Sequence, residues 1–245
     1  KEFFMVKNYL VTAIRHIKQG TPYNKDIDAF EAYKKMYEMS IASYRNFVAE
    51  PFEEILFTHP SESVDSACTD NWYEIKNLWH KEPCNIFWAG ADTIMVKPTS
   101  LFGDRFREFR MFNYTDPKEH KELPYYFNDD LRYMPHTMSE EIWQFGENLL
   151  QDRSDHPELQ WGFDQVRHNL MFWKQDIPDG DRFHPELAYQ CHNFRVIEKN
   201  AIEWHDHWNN ISISSAHILH FHASRGTRQV IEVMADICKQ LDIHI

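Results

Sequence analysis

The chain has 245 residues and a formal net charge of −12, with 42% hydrophobic and 15% aromatic residues. That is enough apolar material for a sizeable core and too much for a disordered chain. The acidic balance disfavours a protein that grips nucleic acid through its phosphates, because such a protein presents a basic face. It leaves room for a nucleotide ligand, whose phosphates need only a few cations or a metal.

With seven glycines and 11 prolines, no low-complexity linker is visible, and one domain over residues 1–245 is expected. Cys68, Cys84, Cys191 and Cys238 form no Cys-x-x-Cys pair and read as reduced core or surface thiols. No run approaches the roughly 20 apolar residues of a membrane span. No signal peptide is visible either, so a cytoplasmic location is expected.

In chain order, Glu2 to Val6 reads as a buried strand leading into Tyr9 to Ile17, where apolar residues recur at helix-like spacing. Asp28 to Phe47 predicts an amphipathic helix with Ala32, Met36, Met39, Ile41 and Tyr44 near one face, closed by Pro51. Glu54 to Phe57 reads as a short strand and Asn71 to Trp79 as a short helix broken by Pro83. Asn85 to Trp88 is a second buried strand, running into Gly90-Ala91-Asp92 before Thr93 to Val96 resumes the apolar pattern. Glu108 to Phe112 and Tyr126 to Tyr133 form a β-rich block. Ser139 to Leu150 reads as a helix with Ser139 as N-cap, and Gly162 to Trp173 as another. Phe194 to Ile197 and Ile218 to Phe221 read as strands, and Thr227 to Leu241 as a closing helix. The alternation predicts an α/β fold with a mostly parallel central sheet, antiparallel additions and flanking helices.

Four segments could carry chemistry. Asp92 follows a buried strand, where α/β sheets bind ligands, and a carboxylate there needs a partner or a metal. Phe127-Asn128-Asp129-Asp130 can be a ligand loop or a simple Asx turn. Asp164 and His168, like Gln165 and Asn169, are spaced i and i+4, so two polar rows either line a cleft or face solvent. His220 and His222 alternate onto one face of a strand, a metal-ligand geometry that is equally compatible with a structural role.

Taken in order, these segments resemble the GT-A glycosyltransferases, most closely the retaining family-eight group that includes glycogenin and bacterial lipopolysaccharide galactosyltransferases. Gly90-Ala91-Asp92-Thr93 followed by an apolar run and Pro98 is similar to that group's Asp-x-Asp segment. Phe127-Asn128-Asp129-Asp130 stands where it has Phe-Asn-x-Gly, and Asp164, Gln165 and Asn169 match Asp-Gln-x-x-x-Asn. His220 fits the His-led loop near the C-terminus. The resemblance covers roughly residues 85–225 and implies a nucleotide-binding half at 1–100 and a sugar and acceptor half at 101–245. The departures are Gly90 for the first Asp, Asp130 for Gly, and the missing Lys-Pro-Trp after the His loop.

The resemblance implies transfer of a sugar from a nucleotide-diphosphate donor, of UDP type, to a carbohydrate or glycoconjugate acceptor with retention. Asp164 and Gln165 would act at the sugar, and Tyr9, Asp92, Asn128 and Arg225 would bind the donor. Asp92, His220 and His222 would hold a divalent metal, for which carboxylate and imidazole ligands favour manganese. With Gly90 supplying no acid, that metal is expected to bind weakly, unless His222 substitutes or Arg225 alone serves the diphosphate. Two rival readings stay open. The lost acid and lost Lys-Pro-Trp also fit a non-catalytic binding module. Fifteen histidines, with the pairs His205/His207 and His220/His222, also invite a metal-dependent hydrolase or oxygenase, though no His-Glu-x-x-His or two-His-one-carboxylate spacing is present.

Overall fold

Three parallel strands carry the centre of the molecule: β1 (Lys7–Ala13), β2 (Glu53–Phe57) and β3 (Cys84–Ala89). They were located in a computed structural model that describes residues 5–17, 29–103, 108–111, 129–151, 163–175, 188–191, 195–198, 201–203, 216–221 and 227–245. β1 lies between the other two, pairing Tyr9 with Glu53 on one side and with Ile86 on the other. Beyond β3 come β6 (Leu131–Met134), antiparallel to it, and β5 (Arg110–Met111), antiparallel to β6. The sheet order is β2-β1-β3-β6-β5, so four of its five strands run the same way. A second sheet, in the order β4-β10-β7, joins β4 (Thr93–Met95), β10 (Ile218–Phe221) and β7 (Ala188–Cys191). β8 (Arg195–Glu198) and β9 (Ala201–Glu203) form a two-stranded pair.

Burial follows from the alternation of side chains along each strand. Every residue of β3 is buried. Ile86 and Trp88 pack on one face with Tyr9, Val11, Trp72, Trp143, Met171 and Phe172. Phe87 and Ala89 pack on the other with Leu10, Ile41, Tyr44 and Met95. Helices therefore cover both faces. On the first side lie α2 (Val64–Lys81), α3 (Glu140–Gln151) and α4 (Phe163–Lys174). On the second lies α1 (Ala29–Phe47), whose further apolar residues Met36, Met39 and Ala42 meet Val230, Val233 and Met234 of α5 (Thr227–Gln240). Cys84 and Cys238 are buried thiols in this arrangement. Among the described residues, no helix is long and apolar enough to cross a membrane.

Among the described residues the expected elements hold with three differences, and the strand expected at Glu2 to Val6 falls partly outside them, with Met5 and Val6 not strand. The first strand spans Lys7–Ala13, so the segment from Tyr9 is strand rather than helix: pairing on both edges decides its conformation over the local spacing. α2 begins at Val64 rather than Asn71, because Ser63 and Ser66 form a reciprocal capping box that starts the helix ahead of its apolar residues. β7 and β9 carry no pattern of their own, and β7 is defined by its parallel pairing with β10.

Gly146 on α3 lies close against α2 and α4. A Cβ there would meet Met171 Sδ and the Trp72 ring, each at 2.7 Å. Gly146→Ala is therefore expected to lower stability by about 1–3 kcal/mol through overpacking, despite alanine's better helix propensity. Urea denaturation of the variant beside the parent checks this, and a gain in stability would show that the contact relaxes freely.

Candidate functional site

The exit of β3 is where three backbone elements meet. Ala89 pairs with Leu131 at the start of β6, and the Gly90 N–H donates to the Asp130 carbonyl at 2.7 Å. The chain then turns through Ala91 and Asp92 into β4, which pairs antiparallel with β10 so that Thr93 faces His220. The Phe221 N–H closes this ladder on the Asp92 carbonyl at 2.8 Å. The turn is pinned from within. The Thr93 hydroxyl donates to the Gly90 carbonyl at 2.7 Å, with the Tyr44 hydroxyl 3.1 Å away.

These pairings bring three ligand-type side chains together. His220 Nε2 lies 3.0 Å from Asp130 Oδ2 and 3.5 Å from Asp92 Oδ1. The three groups lie within 4.8 Å of one another and could hold a metal ion. His220 and Asp92 are buried, whereas the Asp130 side chain is 40% exposed, so the cluster opens to solvent on the Asp130 side. Burial alone would lower the His220 pKa, but Asp92 and Asp130 together outweigh it and hold the imidazole up, at about 10.

A second group sits beside the first through the neighbouring residue. Asp129, Asp164 and His168 also satisfy metal-ligand spacing. Here, however, a guanidinium already occupies the centre. Arg132 Nη1 lies 3.2 Å from Asp129 Oδ2, 2.6 Å from His168 Nδ1 and 3.9 Å from Asp164 Oδ2. Arg167 bonds the other Asp164 oxygen. Both arginines are buried and stack on tryptophans, Arg132 on Trp88 at 4.6 Å and Arg167 on Trp72 at 4.7 Å. Burial and then Arg132 push His168 well below the usual imidazole range, so it stays neutral and accepts from the guanidinium. Burial also pushes the Asp129 carboxyl up, against the pull of Arg132. This group is an internal charge network with its own cations.

The structure therefore brings Asp92 and His220 together, as the resemblance implied, and adds Asp130 to them. Asp164 faces inward rather than into solvent and is engaged by Arg167 and His168. Gln165 is half-buried, and its backbone carbonyl accepts from Asn169 Nδ2 at 2.8 Å. Tyr9 stands elsewhere: it is buried at mid-sheet, and its hydroxyl donates to Glu82, which precedes β3 at the end opposite Gly90. Tyr9 was expected to bind the donor, and here it stands apart from the Asp92 and His220 cluster. Asn128, His222 and Arg225 lie outside the described residues, as do His205 and His207. What the sequence reading missed is Arg132. A basic residue inside the apolar strand Leu131–Met134, just after two aspartates, was the available signal.

No protein-family model matches the chain, and no curated protein matches it in sequence. Among solved structures, it is similar to a glycosyltransferase involved in the glycosylation of the major capsid of PBCV-1. The two align with a TM-score of 0.51 over 94% of this chain and 99% of that one, at 10% identity. At that identity the likeness establishes a shared α/β fold.

Proposed function

We propose that the chain is a glycosyltransferase that takes its sugar from a nucleotide-diphosphate donor, of UDP type, and transfers it with retention to a carbohydrate or glycoconjugate acceptor. The observation that carries this reading is the pairing of Asp92 with His220 at the carboxyl end of β3, on a fold shared with a glycosyltransferase. Asp92 and His220 would hold a divalent cation of manganese type, which supplies Lewis-acid stabilisation to the departing diphosphate. Carboxylate and imidazole are the donor types such an ion takes, so the residues present fit it.

By the resemblance, Asn128 and Arg225 would contact the donor, and Asp164 and Gln165 would act at its sugar. Asp164 then has two duties, because its carboxylate also anchors Arg167. That engagement joins the missing acid at Gly90 and the missing Lys-Pro-Trp in favouring a second reading, a non-catalytic binding module. Donor hydrolysis by the purified chain separates the two, since a binding module shows none.

Nucleotide binding itself is checked by thermal shift and calorimetry with UDP, UDP-sugars and other nucleotide sugars, with manganese and with chelator. A donor at 100 times its dissociation constant is expected to stabilise the chain by about 2.7 kcal/mol. The stabilisation should fall when chelator replaces manganese. Absence of any shift across the whole panel would overturn the reading.

A further inference from the structure

We infer that Asp130 is a metal ligand of this chain, standing in for the acid that Gly90 does not supply, and that Gly90 is glycine because Asp130 occupies its carboxylate's place. The inference rests on the reading above, since a donor diphosphate is what gives a cation here its use.

The argument starts from the exit of β3. A Cβ built on Gly90 would lie 2.9 Å from Asp92 Oδ1, 3.2 Å from Asp130 Cβ and 3.4 Å from Asp130 Cγ. A side chain on Gly90 would therefore grow into the space that the Asp130 side chain fills. The two residues are tied together by the Gly90 N–H bond to the Asp130 carbonyl, so neither can retreat without breaking the β3–β6 junction. One strand has given up a carboxylate, and its neighbour delivers one to the same point.

Asp130 is also aimed correctly. Its Oδ2 lies 3.0 Å from His220 Nε2, and Asp92 Oδ1 is 3.5 Å from the same nitrogen. Ligand atoms at right angles around an ion with bonds of about 2.1 Å are about 3.0 Å apart, which the Asp130–His220 spacing matches and the Asp92–His220 spacing exceeds by a modest shift, and all three groups lie within 4.8 Å of one another. The partly exposed Asp130 leaves the cluster open to solvent on the side where a diphosphate and water would enter. Asp129 fixes the aim. It is held from behind by Arg132 at 3.2 Å, so the bend between the two aspartates sends one side chain into the core and the other to His220. The expectation of a weakened metal site rested on a missing acid, and Asp130 removes that ground.

The test is manganese binding to the full chain without nucleotide, followed by loss of the hydrated-manganese EPR signal and by calorimetry. Parent protein should bind one ion per chain. Asp130→Asn, nearly isosteric and at a partly exposed position, should weaken binding about tenfold or more, at least the cost of disturbing a supporting shell. Gly90→Asp alone should bind no more tightly than the parent and melt lower, because two carboxylates then compete for one space. The double variant Gly90→Asp/Asp130→Gly, which returns the acid to β3, should recover most of the affinity that Asp130→Gly alone loses.

Parent-like binding by Asp130→Asn, or no binding by the parent, would overturn the ligand assignment. So would a double variant no better than Asp130→Gly, provided both melt as folded proteins. Asp130-dependent manganese binding with no response to any nucleotide sugar would instead keep the ligand and overturn the glycosyltransferase reading.

Discussion

Asp164→Ala is expected to destabilise the fold by about 3–5 kcal/mol, towards the lower end because the Asp164 side chain keeps 18% of its exposure. The reason is what remains behind. Arg167 is wholly enclosed, stacked on Trp72, and bonded to Asp164 Oδ1. Arg132 lies 3.9 Å from the other oxygen. Removing the carboxylate leaves two buried guanidinium ions with Asp129 as the nearest remaining acid to Arg132. His168 cannot relieve the imbalance, because it is already neutral.

Asp164→Asn should lose less, since its amide oxygen can still accept from Arg167. Its turnover, normalised to folded protein, should fall more than its UDP affinity if Asp164 also positions the donor sugar. Denaturation midpoints for both variants, beside donor hydrolysis and UDP titration, resolve the two roles. Parent-like stability in Asp164→Ala would mean that the network is not what holds Arg167. Stability should also fall with acidity. His168 is depressed in the folded chain, so its contribution is present above the unfolded value near 6.5. It is lost as pH falls below that, when the unfolded chain gains a proton that the folded chain refuses.

Asp92→Asn is expected to lower donor turnover by about 10²–10³-fold, the scale on which a preorganised charge partner of a transition state is worth about 2.7–4 kcal/mol. It should lower the melting temperature less than Asp164→Ala does, because His220 loses one of its two carboxylates but keeps Asp130 at 3.0 Å and can release its proton, as an arginine cannot. The turn that carries Asp92 is held by Thr93, Gly90 and the Phe221 N–H through backbone groups and the threonine hydroxyl, none of which the substitution touches. Manganese and UDP affinity should fall together, because both depend on charge at the same point. Turnover and metal binding measured on one preparation give the answer, and full activity in Asp92→Asn would remove this cluster from the chemistry.

The meeting of Asp92 with His220 was named through the resemblance, since it depends on the antiparallel pairing of β4 with β10. The position of Asp92 alone was legible from local facts, because a buried strand that stops must present its next polar residue at the sheet edge. The amphipathic helix at Ala29–Phe47 was legible for the same reason. Asp164 was harder. Its i and i+4 spacing to His168 identified a row of polar residues, but spacing does not say whether a row faces solvent. The inward answer came from Arg132 on a strand 32 residues earlier in the chain. Asp130 was read as a departure from a motif, because a motif records order along the chain. The fact that Gly90 and Asp130 occupy one place depends on the β3–β6 pairing, which no linear pattern contains. Tyr9 was named through the resemblance alone, and pairing on both edges of β1 carries it into the core.

The complete burial of β3 has a bearing on how such a protein changes over generations. From Cys84 to Ala89 each side chain is enclosed on one face or the other, so most substitutions along the strand would cost the fold before they could alter the chemistry. The strand gives way one residue later to half-buried Gly90, and the partly exposed carboxylate beside it comes from the neighbouring turn, at Asp130. A reactive group can then migrate between adjoining turns while the scaffold beneath stays still. Lineages built this way would keep a recognisable shape long after the letters that announce their chemistry have been rewritten.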